Sequence, residues 1–110
     1  MVFAVKIVKL ARALREEQRE YSLADQMLRS GTSIGANLAE ATYAPTKKDF
    51  LNKCKIALKE TSETLFWLNL LVRSDLFPET RISEIRNDCE ELRKMLSATC
   101  RTIEENLSQK

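Results

Sequence analysis

The sequence predicts an all-α fold, an up-and-down antiparallel four-helix bundle assembling as a homo-oligomer. Apolar residues recur in steps of three and four along four segments, only 2 Gly and 2 Pro punctuate the 110 residues, and the stretches between the segments are short. With 44% apolar and 31% charged residues the composition is globular, and 6% aromatic residues leave little material for strands. The length suits a single domain spanning residues 1–110 around one core. So short a chain buries a small fraction of its surface and gains from packing against copies of itself.

Helix 1 is predicted over about 2–20, where Phe3, Ile7, Leu10 and Leu14 share a face. Its other face carries Lys6, Lys9, Arg12, Arg15 and Arg19 among Glu16, Glu17 and Glu20. Ser22, with Asp25 three residues on, reads as the N-cap of helix 2, over about 22–43, whose stripe is Leu23, Met27, Ile34, Leu38 and Ala41. Gly31 and Gly35 each cost about 0.8–1 kcal/mol relative to Ala inside a helix. With Ala39 they form a small-residue stripe that predicts close approach by another helix; a break at Ser30-Gly31 is the alternative.

Ala44-Pro45 ends helix 2, and Thr46 with Asp49 forms a capping box that opens helix 3 over about 46–73. Its core stripe is Phe50, Cys54, Ala57, Thr61, Leu65, Leu68 and Val72. Lys48, Lys55 and Lys59 fall on roughly the opposite side, whereas Ile56, Phe66, Trp67 and Leu70 also point away from the stripe, more apolar surface than one bundle needs. These four are the expected oligomer interface. Pro78 opens helix 4, over about 78–107, where Ile82, Ile85, Cys89, Leu92, Leu96, Thr99 and Ile103 form a heptad seam.

The net charge of +2 is too small to imply a partner, but its distribution is uneven. Residues 1–59 carry 11 Lys+Arg against 6 Asp+Glu, a balance of +5, and residues 60–110 carry 7 against 10, a balance of −3. A basic half suits a polyanion; pairing between helices of opposite charge gives the same count. Cys54, Cys89 and Cys100, odd in number and far apart, read as small core residues in a reducing compartment. No apolar run approaches the ~20 residues of a membrane span, and Lys6 and Lys9 interrupt the N-terminal stretch where a signal peptide would lie. The expected location is cytoplasmic.

With no His the chain lacks the commonest general base and metal ligand. The cysteines are scattered, and Glu60 and Glu63 share a face without a Glu-x-x-His partner, so no metal, cofactor, small-molecule substrate or enzymatic activity is expected. Gly31-x-x-x-Gly35 lacks the strand and the Gly-Lys-Ser/Thr ending of a phosphate loop. Asn37 and Glu40, at the edge of the helix 2 stripe, are expected to join a structural polar network with Thr61 on helix 3.

At RSGTSIGANLAEA (Arg29 to Ala41), KKDFLNKCKIALKET (Lys47 to Thr61) and E-x-x-x-W-L (Glu63 to Leu68) the sequence resembles the bacterial four-helix-bundle proteins encoded within intervening sequences of large-subunit ribosomal RNA genes. That family's motif falls on Arg29, Ser30, Gly31, Ser33, Ile34, Asn37, Glu40, Asp49, Phe50, Lys59, Glu60, Glu63 and Trp67. The resemblance extends from Ala4 through helix 3 and implies a left-handed bundle assembling into a homopentameric ring with no catalytic role at these positions. The chain is also similar to the accessory variability determinant of diversity-generating retroelements, which binds nucleic acid and a reverse transcriptase. The expected function is therefore a homo-oligomeric accessory protein that binds RNA or DNA, with a nucleic-acid enzyme as a further partner. Lys48, Lys55 and Lys59 would contact phosphates, with Arg12, Arg15 and Arg19 as a second cluster. A protein–protein scaffold with lysines serving only solubility is the alternative.

Overall fold

The computed structural model describes residues 1–109 and contains four helices: α1 (Val2–Gln18), α2 (Tyr21–Ala41), α3 (Lys47–Arg73) and α4 (Glu79–Ser108). Contacts join α1 to α2, α2 to α3, α3 to α4 and, least extensively, α1 to α4, so that α1 and α3 occupy one diagonal of the bundle and α2 and α4 the other. Antiparallel neighbours follow from the cross-links: Arg15 pairs with Asp25, Arg29 with Glu60, Lys53 with Glu40, and Lys55 with Glu104. The rod measures 52 × 21 × 20 Å.

Arg19 and Glu20 alone join α1 to α2. Arg19 adopts the left-handed conformation (φ 55°), and the N–H groups of Arg19 and Glu20 donate to Arg15 O and Leu14 O, satisfying carbonyls that the end of α1 leaves free. The chain re-enters a helix at once. Ser22 therefore lies inside α2 and Glu20 occupies its N-cap, which corrects the expected cap: the reversal is completed two residues earlier than the Ser22–Asp25 pair suggests. The α3 cap follows the sequence reading, with Thr46 Oγ1 accepting from Asp49 N at 3.1 Å and donating to the Asp49 carboxylate at 2.6 Å.

The core runs in layers along the rod. At one end Ile7, Leu10, Leu14, Met27, Leu68, Leu71, Ile82 and Cys89 pack across all four helices. Phe77, from the α3–α4 connection, is buried there and closes that end of the bundle, with the Arg81 guanidinium 4.4 Å from its ring centroid. Ile34, Ala57 and Leu96 form the middle. Beyond the start of α1 the other end is a three-helix core of Ala41, Leu51, Cys54 and Cys100.

The helix α2 is continuous through both glycines. A Cβ on Gly31 would meet Ile7 Cγ2 at 2.7 Å, so helix α1 does approach there, as the cost of a helical glycine required. Gly35 has nothing within 4 Å of its Cβ position and Ala39 is exposed, so the close approach covers only the first of the three small residues. The reason is direction: Gly31 faces into the bundle and is buried, whereas Gly35 lies on the exposed side of α2, and Phe3, one turn before Ile7 on α1, packs against the core layer of Ile34 instead.

Candidate nucleic-acid interface

Helix geometry puts Lys48, Lys55, Lys59, Phe66 and Arg73 within a wedge of about 40° on the outward side of α3, at 100° per residue, along about 37 Å of axis. All five are exposed. Lys55 Nζ lies 3.4 Å from Glu104 Oε1 in an ion pair half open to water on both sides, a contact worth little. Lys48, Lys59 and Arg73 form no ion pair among the described residues. Arg73, in the last turn of α3, is not among the expected phosphate contacts. Its spacing of seven from Phe66 and fourteen from Lys59 is the signal that places it on this face.

The second expected cluster is elsewhere. Helix α1 is diagonal to α3, so Arg12, Arg15 and Arg19 lie on the opposite side of the protomer from the lysines. Arg15 is tied to Asp25 at 2.6 Å and sits 5.3 Å from the Tyr21 ring centroid, Arg19 is consumed in the turn, and Arg12 lines a shallow groove beside Val8 and Leu28. Interhelical pairing explains part of the basic balance of residues 1–59. Lys6, Arg15, Arg29, Lys53 and Lys55 are in ion pairs; Lys9, Arg12, Arg19, Lys47, Lys48 and Lys59 are in none among the described residues.

The four expected interface residues divide. Phe66 is 59% exposed and Ile56 41%, whereas Trp67 and Leu70 are half-buried. The Trp67 indole packs against its own protomer's core and its Nε1 donates to Glu63 Oε2 at 3.1 Å. Ile56 lies ten residues from Phe66, about 15 Å along the axis, with Lys59 and Glu63 between them, so no continuous apolar patch unites the set. A more extended exposed apolar face lies on α1, where Met1, Val2, Val5 and Val8 are uncovered, with Met95 across an open α1–α4 groove of about 380 Å³.

Asn37, Glu40 and Thr61 do not meet. Asn37 Nδ2 donates to Ser33 O and Oγ, Glu40 pairs with Lys53 at 3.2 Å, and Thr61 Oγ1 donates to Ala57 O, so Asn37 and Thr61 are satisfied within their own helices and Glu40 by the half-buried Lys53 of α3. The polar network that does tie α2 to α3 lies nearer the four-helix end. Arg29 binds Glu60 Oε2 at 3.1 Å and Glu63 Oε2, Glu63 also accepts from Trp67, and the buried hydroxyls of Ser30 and Thr64 are 2.9 Å apart. Trp67's N–H does most to hold the Glu63 carboxyl below its ordinary range; burial opposes it, and Arg29 and the nearby charge of Lys59 add to the lowering. Among the described residues no group of three or more His, Cys, Asp or Glu is placed to hold a metal ion, and no helix is long and apolar enough to cross a membrane. Burial raises all three thiols, Cys89 to about 12.

Fold and surface thus define a small four-helix-bundle protein with open grooves, a cationic outer helix and a polar tie between α2 and α3. Residues 1–98 match the profile of the 23S rRNA-intervening sequence proteins, and the chain belongs to that family. It is similar to a crystal structure of a protein of unknown function from the S23 ribosomal protein family of Bacteroides thetaiotaomicron, at 47% identity and a TM-score of 0.87, covering 89% of this chain and 91% of that one. No curated protein matches it.

Proposed function

We propose that this is a non-enzymatic, nucleic-acid-binding accessory protein, working as an assembly of its own copies, that grips the phosphate backbone with the outer face of α3. The observation that carries this reading is the run of Lys48, Lys55, Lys59 and Arg73 along one exposed helix face, three of the four free of carboxylate partners among the described residues. The family's name, which ties it to the 23S ribosomal RNA gene, supports RNA as the polyanion. Exposed Met1, Val2, Val5, Val8 and Met95 support assembly, since burying such side chains against another copy gains about 25 cal/mol per Å² of apolar surface.

Three phosphate contacts per protomer would give a slope of log affinity on log salt of about −2 to −3. Fluorescence anisotropy with a structured ribosomal RNA fragment at low salt, beside light scattering of the free protein, tests both parts. Binding should weaken with that slope and be lost in K48E/K59E/R73E while the assembly size is unchanged. Absence of binding at low salt, or survival of binding in the triple variant, rejects the nucleic-acid reading; a free protein scattering as a 12.6 kDa particle rejects the assembly.

A further inference from the structure

Phe66 is the aromatic residue that the bundle does least to cover within the cationic face of α3. It is 59% exposed, yet its ring is held: Phe66 and Trp67 pack edge to face with centroids 5.0 Å apart and planes at 75°, and Trp67 is itself anchored on Glu63. Lys59 and Arg73 stand seven residues to either side, about 10 Å away along the axis in each direction. Two observations bear on what would cover such a ring. Its apolar surroundings are small, because Trp67 and Leu70 are already half-buried in their own protomer, whereas a stable protein interface takes roughly 800 Å² from each partner. Its flanks are positive, which favours an anion-bearing partner over an apolar helix.

From this we infer that Phe66 stacks on an unpaired base of single-stranded RNA or DNA, with Lys59 and Arg73 holding the phosphates on either side. The inference rests on the proposed nucleic-acid binding and deepens it by naming the form of nucleic acid preferred. An exposed ring flanked by cations is the arrangement that binds single strands with little sequence preference, because each base has a π face; in a duplex those faces are already stacked.

The test uses the full chain with a labelled 12-nucleotide RNA, single-stranded or annealed to its complement, at low salt. Phe66→Leu keeps the apolar bulk and removes the ring face; Phe66→Tyr keeps the ring. Stacking beside Trp67, the chain's single tryptophan, should quench the indole emission when the single strand is added and not with the duplex. The expected result is a loss of about fivefold to a hundredfold in single-strand affinity for Phe66→Leu, with duplex affinity, salt slope and assembly size unchanged and Phe66→Tyr near wild type. If the wild type binds both RNAs and Phe66→Leu binds the single strand equally well, stacking is wrong and the phosphate reading stands. A change of assembly size in Phe66→Leu, with both RNAs weakened, also overturns it, since the ring would then lie between copies. Failure of the wild type to bind either RNA rejects the nucleic-acid reading itself.

Discussion

Gly31 and Gly35 are the same residue type one turn apart in the same helix, and their surroundings make opposite demands. An added methyl at Gly31 would sit 2.7 Å from Ile7 Cγ2 and 2.8 Å from Cγ1, both on a fully buried, β-branched side chain with little freedom to yield. Overpacking of this kind costs about 1–3 kcal/mol and outweighs the ~1 kcal/mol that Ala gains over Gly in a helix. At Gly35 the methyl meets nothing. Gly31→Ala is therefore expected to destabilise by up to about 2 kcal/mol and Gly35→Ala to stabilise by about 0.5–1 kcal/mol in urea unfolding. Stabilisation by both would mean that α1 does not press on α2 at Ile7.

Within the α2–α3 pair, Trp67 has two jobs that a single substitution separates. Trp67→Phe retains a ring against the core and removes the N–H that contributes most to the lowered pKa of Glu63. A carboxyl lowered in the folded state adds stability above its unfolded pKa, and that stability is lost as pH falls through the folded value. In Trp67→Phe the Glu63 titration, followed by carboxyl NMR, should move back up toward the ordinary carboxyl range, and the acid limb of the stability curve should become shallower. An unmoved titration would assign the shift to Arg29 and Lys59. The sequence made the four helices legible because apolar spacing sets their faces, and it made the Thr46 cap and the α3 lysines legible because each depends on local spacing. What it did not reveal depends on neighbours in space. Phe77 looks like loop until the end of the core is seen to need a plug, Asn37 finds its partner within α2 while Glu40 finds Lys53 on α3, and the Arg29–Glu60–Glu63–Trp67 tie joins Arg29 to residues 31 to 38 positions on. Trp67 pointed away from the core stripe by helix angle, yet a long indole leans back far enough to cover the α2–α3 seam.

The protomer as a whole is unevenly fastened. Helix α1 has 17 residues against 27 in α3 and 30 in α4, and the seam it shares with α4 is the least extensive in the bundle, opening into grooves of about 280 and 380 Å³. Across that seam the polar ties are ion pairs at the surface: Lys6 with Glu84 and Asp88, and Arg81 forked onto Glu17. Exposed pairs of this kind are weak, and the screening length falls from about 10 Å at 0.1 M salt to about 3 Å at 1 M, the scale of the contacts themselves. On its other side α1 is seated tightly by Ile7 on Gly31, so the unequal fastening predicts partial opening in which α1 parts from α4 before the α2–α3 pair loosens. Native-state hydrogen exchange should find the amides from Val5 to Leu14 less protected than those from Ala57 to Leu68, and 1 M salt should speed exchange in the first group and leave the second unchanged. Equal protection in both groups would show one cooperative unit in which the α1–α4 seam is no weaker than the rest, and a lower but salt-insensitive protection in α1 would assign the weakness to sparse apolar contact rather than to its ion pairs.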